Sequence, residues 1–151
     1  MIRLQVVAGI LQKRTGEVLI TERVDDGPFH GLWEFPGGKI RTDESIGDAL
    51  ARELFEEIGI LPTATEHFIH LQHDYPDRQV EIDFFIVERW KNEPAGLEGQ
   101  QMSWIDIAAL DASMLLPANK PVIKALRQRY AGGAAGTNSY NPQQSGEINQ
   151  P

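Results

Sequence analysis

Three glutamates, Glu53, Glu56 and Glu57, follow one another at i, i+3 and i+4. If that stretch is helical, their carboxylates project from one face, because residues three and four apart are neighbours on a helix surface. Clustered like charges repel, and a hard divalent cation with oxygen ligands supplies the compensation. Cations held in this way polarise phosphoryl oxygens, lower the pKa of a water and neutralise charge on a leaving group. The chemistry on offer is metal-assisted hydrolysis of a phosphorylated compound. The plainer reading of the same residues is a solvated acidic face, partly neutralised by an Arg52 to Glu56 pair, since exposed glutamate is common on helices.

The elements that would position this cluster are legible around it. Ile46, Leu50, Leu54 and Ile58 recur every four residues, which predicts a helix over residues 45–58 with one buried stripe. Thr42 or Asp43 would cap it, and Gly59 suits the left-handed position that ends it. Upstream, residues 4–11 and 17–23 read as strands joined by the Thr15-Gly16 turn. Residues 25–28 form a loop by composition, and residues 31–36 hold Trp33 and Phe35 before the Pro36-Gly37-Gly38 break. Downstream, strands are expected over residues 68–74 and 79–90, separated by Tyr75-Pro76-Asp77, with another near residues 102–106. Pro117-Ala118-Asn119-Lys120-Pro121 opens a last amphipathic helix to about Tyr130, with Val122, Ile123 and Leu126 inward. Strands and helices mix without regular βαβ alternation, so the fold class is α/β of the α+β kind, an α/β/α sandwich with a mixed β-sheet. After Tyr130 the chain turns to Ala, Gly, Asn, Gln, Ser and Pro with no apolar periodicity. The expectation is one domain over residues 1–130 and a disordered C-terminal tail over residues 131–151.

Bulk properties narrow the partners. A chain of 151 residues fits one domain with one core. Its 41% apolar and 24% charged residues are ordinary for a globular protein, and no apolar run approaches the roughly 20 residues that cross a bilayer. The N-terminus lacks the pattern of a signal peptide, which reads as cytoplasmic. The absence of cysteine excludes disulfides, thiolate metal sites and a cysteine nucleophile. A net charge of −8 with no Lys/Arg-rich stretch argues against a nucleic-acid polymer. A small phosphorylated ligand remains accessible if cations sit between it and the carboxylates. His67, His70 and His73 repeat every third residue, a spacing that would not put them on one face of a strand, so no histidine metal site is expected.

The flanking residues sharpen the acidic cluster into a motif. Gly38, Glu44 and the run Arg52-Glu53-Leu54-Phe55-Glu56-Glu57-Ile58-Gly59-Ile60 fit Gly-x5-Glu-x7-Arg-Glu-U-x-Glu-Glu-x-Gly-U at all nine constrained positions, U being a bulky aliphatic. This resembles the Nudix hydrolases. The resemblance implies a loop-helix-loop that holds Mg²⁺, with Mn²⁺ as a substitute, and directs water at a diphosphate linkage. It implies metal ligands at Glu53, Glu56, Glu57 and the Gly38 carbonyl. Glu53 would be the general base or the group that orients the water, Arg52 would fix the Glu53 carboxylate and Glu44 would support the loop.

Outside the motif, Leu32-Trp33-Glu34-Phe35-Pro36-Gly37-Gly38-Lys39, Tyr75-Pro76-Asp77-Arg78, Val87-Glu88-Arg89-Trp90, Glu98-Gly99-Gln100 and Pro117-Ala118-Asn119 resemble the MutT-type 8-oxo-dGTP diphosphatases of that family. By that resemblance the chain would form 8-oxo-dGMP and pyrophosphate from 8-oxo-dGTP, sanitise the nucleotide pool and prevent A·T to C·G mutations, as a monomer. Asn119 would read the oxidised purine edge, an amide offering both donor and acceptor; read from the residues alone, it caps the last helix. Arg23, Glu34 and Arg78 would lie near base, sugar or phosphates, or else be surface charges. Lys39 is a phosphate contact or a solvated loop lysine. Glu98 would add a carboxylate to the metals from outside the motif, and Phe35 and Tyr75 would flank the base or belong to the core. Asp43 stands where glycine is common before Glu44, and residues 24–30 carry no assignable motif. The rival functions are a Nudix hydrolase of another nucleotide such as CTP, and a non-catalytic nucleotide sensor on the same scaffold.

Overall fold

The densest apolar stretch of the chain becomes the middle of a sheet. The structure, a computed structural model, describes residues 2–135. Strand β1 (Ile2–Leu11) runs parallel to β6 (Arg78–Lys91), in register from Ile2 opposite Arg78 to Leu11 opposite Val87. On its other side β1 pairs antiparallel with the short β4 (Gly37–Lys39), and β5 (Leu61–Tyr75) closes the far side of β6, giving the order β4-β1-β6-β5. A second sheet has β2 (Glu17–Glu22) between β3 (Trp33–Glu34) and β7 (Met102–Asp106).

Alternation along these strands sorts side chains into two cores. Val7, Leu11 and Leu19 pack with Ala49, Leu50, Leu54 and Ile58 of helix α1 (Ile46–Ile58). Ala8, Ile10, Val80, Ile82, Phe84 and Ile86 face the other way, onto Val122, Ile123 and Leu126 of helix α2 (Lys120–Ala135). Helices therefore cover both faces of a mixed sheet layer, which is the sandwich the pattern predicts. No helix among the described residues is long and apolar enough to cross a membrane.

Helix α1 corrects two details. Ser45 caps it, its side chain accepting from the Asp48 N–H at 3.1 Å, instead of Thr42 or Asp43. Asp43 takes a left-handed backbone at φ 67°, which explains why glycine suits that position. Ile46 is exposed, and Ala49 takes its place in the core. Steps of four residues drift by about 40° each around a helix of 3.6 residues per turn, so three steps carry Ile46 off the stripe that ends at Ile58. Gly59 closes the helix at φ 75°, its N–H reaching the Phe55 carbonyl.

Strand β5 begins seven residues before the expected start at Phe68, because residues 61–67 lack apolar alternation but pair with β6 through register shifts. Pro62 is tolerated there because β5 is an edge strand. One shift falls between His67 and Ile69, where two steps on β5 oppose one on β6. That bulge turns His67 and His70 to the same face, against the expectation from spacing, and both rings bond Asp83 Oδ1, at 2.8 and 3.0 Å. His73 faces the other way, edge-on to Tyr75. Helix α2 continues to Ala135, past the expected end at Tyr130; the remainder of the expected tail, residues 136–151, lies outside the described residues.

Candidate active site

Glycine sets where the acidic helix can sit. A Cβ on Gly37 would collide with the Val7 backbone across the β4/β1 pair, and one on Gly38 would overlap the Glu53 carboxyl group. Only bare backbone lets β4 pass between β1 and α1 at this range. Gly38→Ala is therefore expected to displace the Glu53 side chain, lowering turnover on the order of 100-fold with little change in Tm. Gly37→Ala meets backbone that cannot move aside and should cost about 3 kcal/mol or more. Thermal melts and assays of both variants separate the two effects, and equal loss of Tm in both would refute the distinction.

Arg52 organises the motif. Its guanidinium grips Glu44 in two bonds, 2.6 and 2.8 Å, and also reaches Glu53 at 3.1 Å, Glu56 at 3.3 Å and the Lys39 carbonyl at 3.0 Å. Glu44 further accepts the Arg41 N–H at 2.9 Å. Arg52 first, and that N–H second, bring its pKa down to about 2. Loop and helix are thus tied by one planar donor fork that lysine could not reproduce.

Glu57 is the carboxylate the sequence placed on an open face and the structure buries, at 9% exposure. It accepts the Gly37 N–H at 3.1 Å and the Thr21 hydroxyl at 3.4 Å. Burial first, then the neighbouring Glu34, Glu98 and Glu53, push its pKa up to about 8, although the Gly37 N–H favours the charged form. A carboxyl raised in the folded state from 4.5 to about 8 binds a proton that the unfolded chain has already released. Stability of the metal-free protein therefore falls as pH rises through that window. In EDTA, wild-type Tm should drop between pH 6 and 8.5 by on the order of 5 °C more than that of Glu57→Gln. Parallel curves for the two proteins would show that Glu57 is not the titrating group.

A fourth acid arrives from the loop after β6. Gln100, buried, donates to the Glu57 carbonyl at 3.0 Å and accepts the Glu98 N–H at 2.8 Å, while the Leu97 N–H also bonds the Glu57 carbonyl. These bonds staple Glu98 beside the end of α1. Glu34, on β3, stands next to Arg23, whose guanidinium lies 3.4 Å from Glu34 and 2.7 Å from Asp25. Burial raises the pKa of Glu34 against the pull of Arg23. Gly37, Glu34, Glu57, Glu98 and Gln100 line one cleft of about 240 Å³. Hard oxygen donors, among them a carboxyl forced toward neutrality by burial and by neighbouring like charges, match the chemistry of a divalent cation. Among the described residues, however, no three acidic or histidine side chains already stand together as a ligand cage. Arg52 holds Glu53 and Glu56, and the Gly37 N–H and the Thr21 hydroxyl hold Glu57.

A second cavity of about 310 Å³ shares Gly37, Arg23 and Glu34 with this cleft. Its walls include Phe35, Tyr75, Arg78 and Asn119, with Gly38 and Lys39 at the glycine strand. Phe35 packs edge-on against Phe84 in the core and also lines the cavity. Asn119, 4% exposed, points its Oδ1 at the Phe35 N–H, 3.1 Å away and 84 residues distant in sequence. Its side-chain oxygen thus ties the end of β3 to the turn before α2, and Asn119 lines the cavity. Arg78 lies over the Tyr75 ring, and its Nε is buried with no hydrogen-bond partner among the described residues. In the loop without a motif, Phe29 packs on Tyr75 at 5.3 Å and His30 bonds the Asp25 carbonyl.

Lys39 is exposed at the rim, with its carbonyl taken by Arg52. Thr21 and Gln100 were not singled out from the sequence. An inward threonine in the otherwise apolar run 18–21 was the available signal for the first; Gln100 had none beyond its neighbour Glu98.

A family model described as the NUDIX domain matches residues 2–126, and the chain belongs to that family. It is 41% identical to the 8-oxo-dGTP diphosphatase of Escherichia coli K12 over 83% of this chain and 98% of that protein. It is 34% identical to the CTP pyrophosphohydrolase of the same organism, over 81% of this chain and 90% of that protein. A solved MutT structure, from work on Aliivibrio salmonicida and Vibrio cholerae, superposes with a TM-score of 0.72 at 41% identity, covering 84% of this chain and 98% of that one. Nudix hydrolases generally use divalent metals.

Proposed function

We propose that this protein is an 8-oxo-dGTP diphosphatase, hydrolysing 8-oxo-dGTP to 8-oxo-dGMP and pyrophosphate with Mg²⁺ and so keeping an oxidised precursor out of DNA. The observation that carries the reading is the shared rim: a cavity walled by Phe35, Tyr75 and the Asn119 amide opens, at Gly37, Arg23 and Glu34, onto a cleft of carboxylates. A purine fits the first, a magnesium triphosphate the second. The identity to the Escherichia coli diphosphatase over nearly its whole length supports the same choice.

Glu53, Glu56, Glu57, Glu98 and the Gly38 carbonyl would hold the metal, which when bound polarises the phosphoryl oxygens and makes water a better nucleophile. Glu53 takes the proton of the attacking water, and Arg52, 3.1 Å away, keeps its carboxylate aimed. Arg23 and Lys39 stand where the cavity meets the glycine strand and can meet phosphate. Arg78 brings a guanidinium that lacks a partner on Nε to the same cavity. Asn119 turns its Nδ2 donor to the base, because Phe35 has engaged its oxygen. The enzyme works as a monomer in the cytoplasm, where its substrate is.

The test is kcat/KM with Mg²⁺ for 8-oxo-dGTP, dGTP and CTP. A strong preference for the oxidised guanine supports the reading. Preference for CTP would keep the reaction class and overturn the substrate, and tight nucleotide binding without turnover would make the protein a sensor.

A further inference from the structure

Asn119 sits on a 3₁₀ turn, Pro117–Asn119, whose start is uncapped by its own residues. Leu116 offers no side-chain acceptor, Pro117 has no N–H, and the Ala118 N–H is the first donor left without a local partner. That donor is met from another element: the Tyr75 hydroxyl, at the end of β5, accepts it at 3.2 Å across 43 residues of sequence. Ala118 is 3% exposed and Tyr75 8%, so water is poorly placed to replace the bond.

We propose that Tyr75 is a positioning residue for substrate choice, its hydroxyl capping the Pro117–Asn119 turn from outside and thereby fixing where Asn119 presents its amide. The inference rests on the reading that Asn119 recognises the base. Two tethers define the amide's place. The Asn119 side chain is held by the Phe35 N–H at 3.1 Å, and the backbone one residue before it by Tyr75. The phenol has little freedom of its own, because Phe29, His73 and Arg78 close on its ring at 5.3, 4.6 and 5.5 Å. Phenylalanine would fill the same space, so apolar contact with a base does not require the oxygen. What the oxygen adds is a partner for a buried N–H, and an orphaned donor is costly enough to move a short turn.

A double-mutant cycle tests this with 8-oxo-dGTP and dGTP as paired substrates. Tyr75→Phe should lower the ratio of kcat/KM for the two by about tenfold, mainly through KM for 8-oxo-dGTP, and should have no further effect on that ratio in an Asn119→Ala background. A drop in Tm with an unchanged ratio would make the hydroxyl merely structural and overturn the proposal. An equal loss in both backgrounds would mean that Tyr75 touches the base independently, and would overturn it too. If Asn119→Ala alone leaves the ratio intact, the base-recognition reading falls and this inference with it; intact selectivity in Tyr75→Phe alone removes only the inference.

Discussion

Glu53→Gln is expected to lower kcat for 8-oxo-dGTP by about 10³-fold or more while leaving the fold intact. The amide keeps the shape of the side chain and an oxygen for the Arg52 donor 3.1 Å away, so the α1 loop should stay assembled. On the proposed mechanism, what disappears is the base, worth about 10² to 10⁴-fold in general acid–base catalysis, together with one negative charge from the proposed metal site. Single-turnover rates and a thermal melt on the same preparation check both halves. Turnover within tenfold of wild type would move the proton to another group, and Glu98, stapled beside Glu57 by Gln100, is the carboxylate next in line.

The second large effect belongs to Asn119. Asn119→Ala should cut the preference for 8-oxo-dGTP over dGTP by about 100-fold or more, because a site built to hydrogen-bond its substrate discriminates chiefly through those bonds. The substitution also leaves the buried Phe35 N–H without a partner, at a cost of about 1–3 kcal/mol. Partial unfolding does not disturb the comparison, since both substrates meet the same folded fraction and only their ratio is read. A ratio that survives the substitution would assign base recognition elsewhere on the cavity wall.

The catalytic motif was legible because its chemistry is written into one helix and its two flanks. Spacing alone puts Glu53, Glu56 and Glu57 within two turns of one helix, and Gly38 and Arg52 lie against Glu53. The cavity was legible only through resemblance, since Phe35, the pair Tyr75 and Arg78, and Asn119 come from three separate stretches of the chain. Thr21 and Gln100 escaped because nothing local distinguishes a threonine that bonds a carboxylate, or a glutamine that bonds buried backbone, from one that bonds water. The burial of Glu57 was hidden for a similar reason. Helical spacing tells which side a residue faces, but the depth of β4 and the β2/β3 pair in front of it decides whether that side is wet. The face of His67 and His70 depended on a bulge that no two-residue period contains.

The parallel pairing of β1 with β6 has a consequence for how the enzyme comes into being. Strand β1 lies in the interior of its sheet, yet its parallel partner is synthesised 76 residues later, counting from Ile2 to Arg78. Closing a loop of that length costs roughly 4 kcal/mol of chain entropy before any of the ten paired residues repays it. Helix α1, whose apolar stripe rests on β1, and the glycine strand β4 are both complete well before that closure, but the strand they rest on is pinned on one side only. A nascent chain should therefore acquire its catalytic geometry late and in one cooperative step, when β6 arrives and β1 is pinned from both sides.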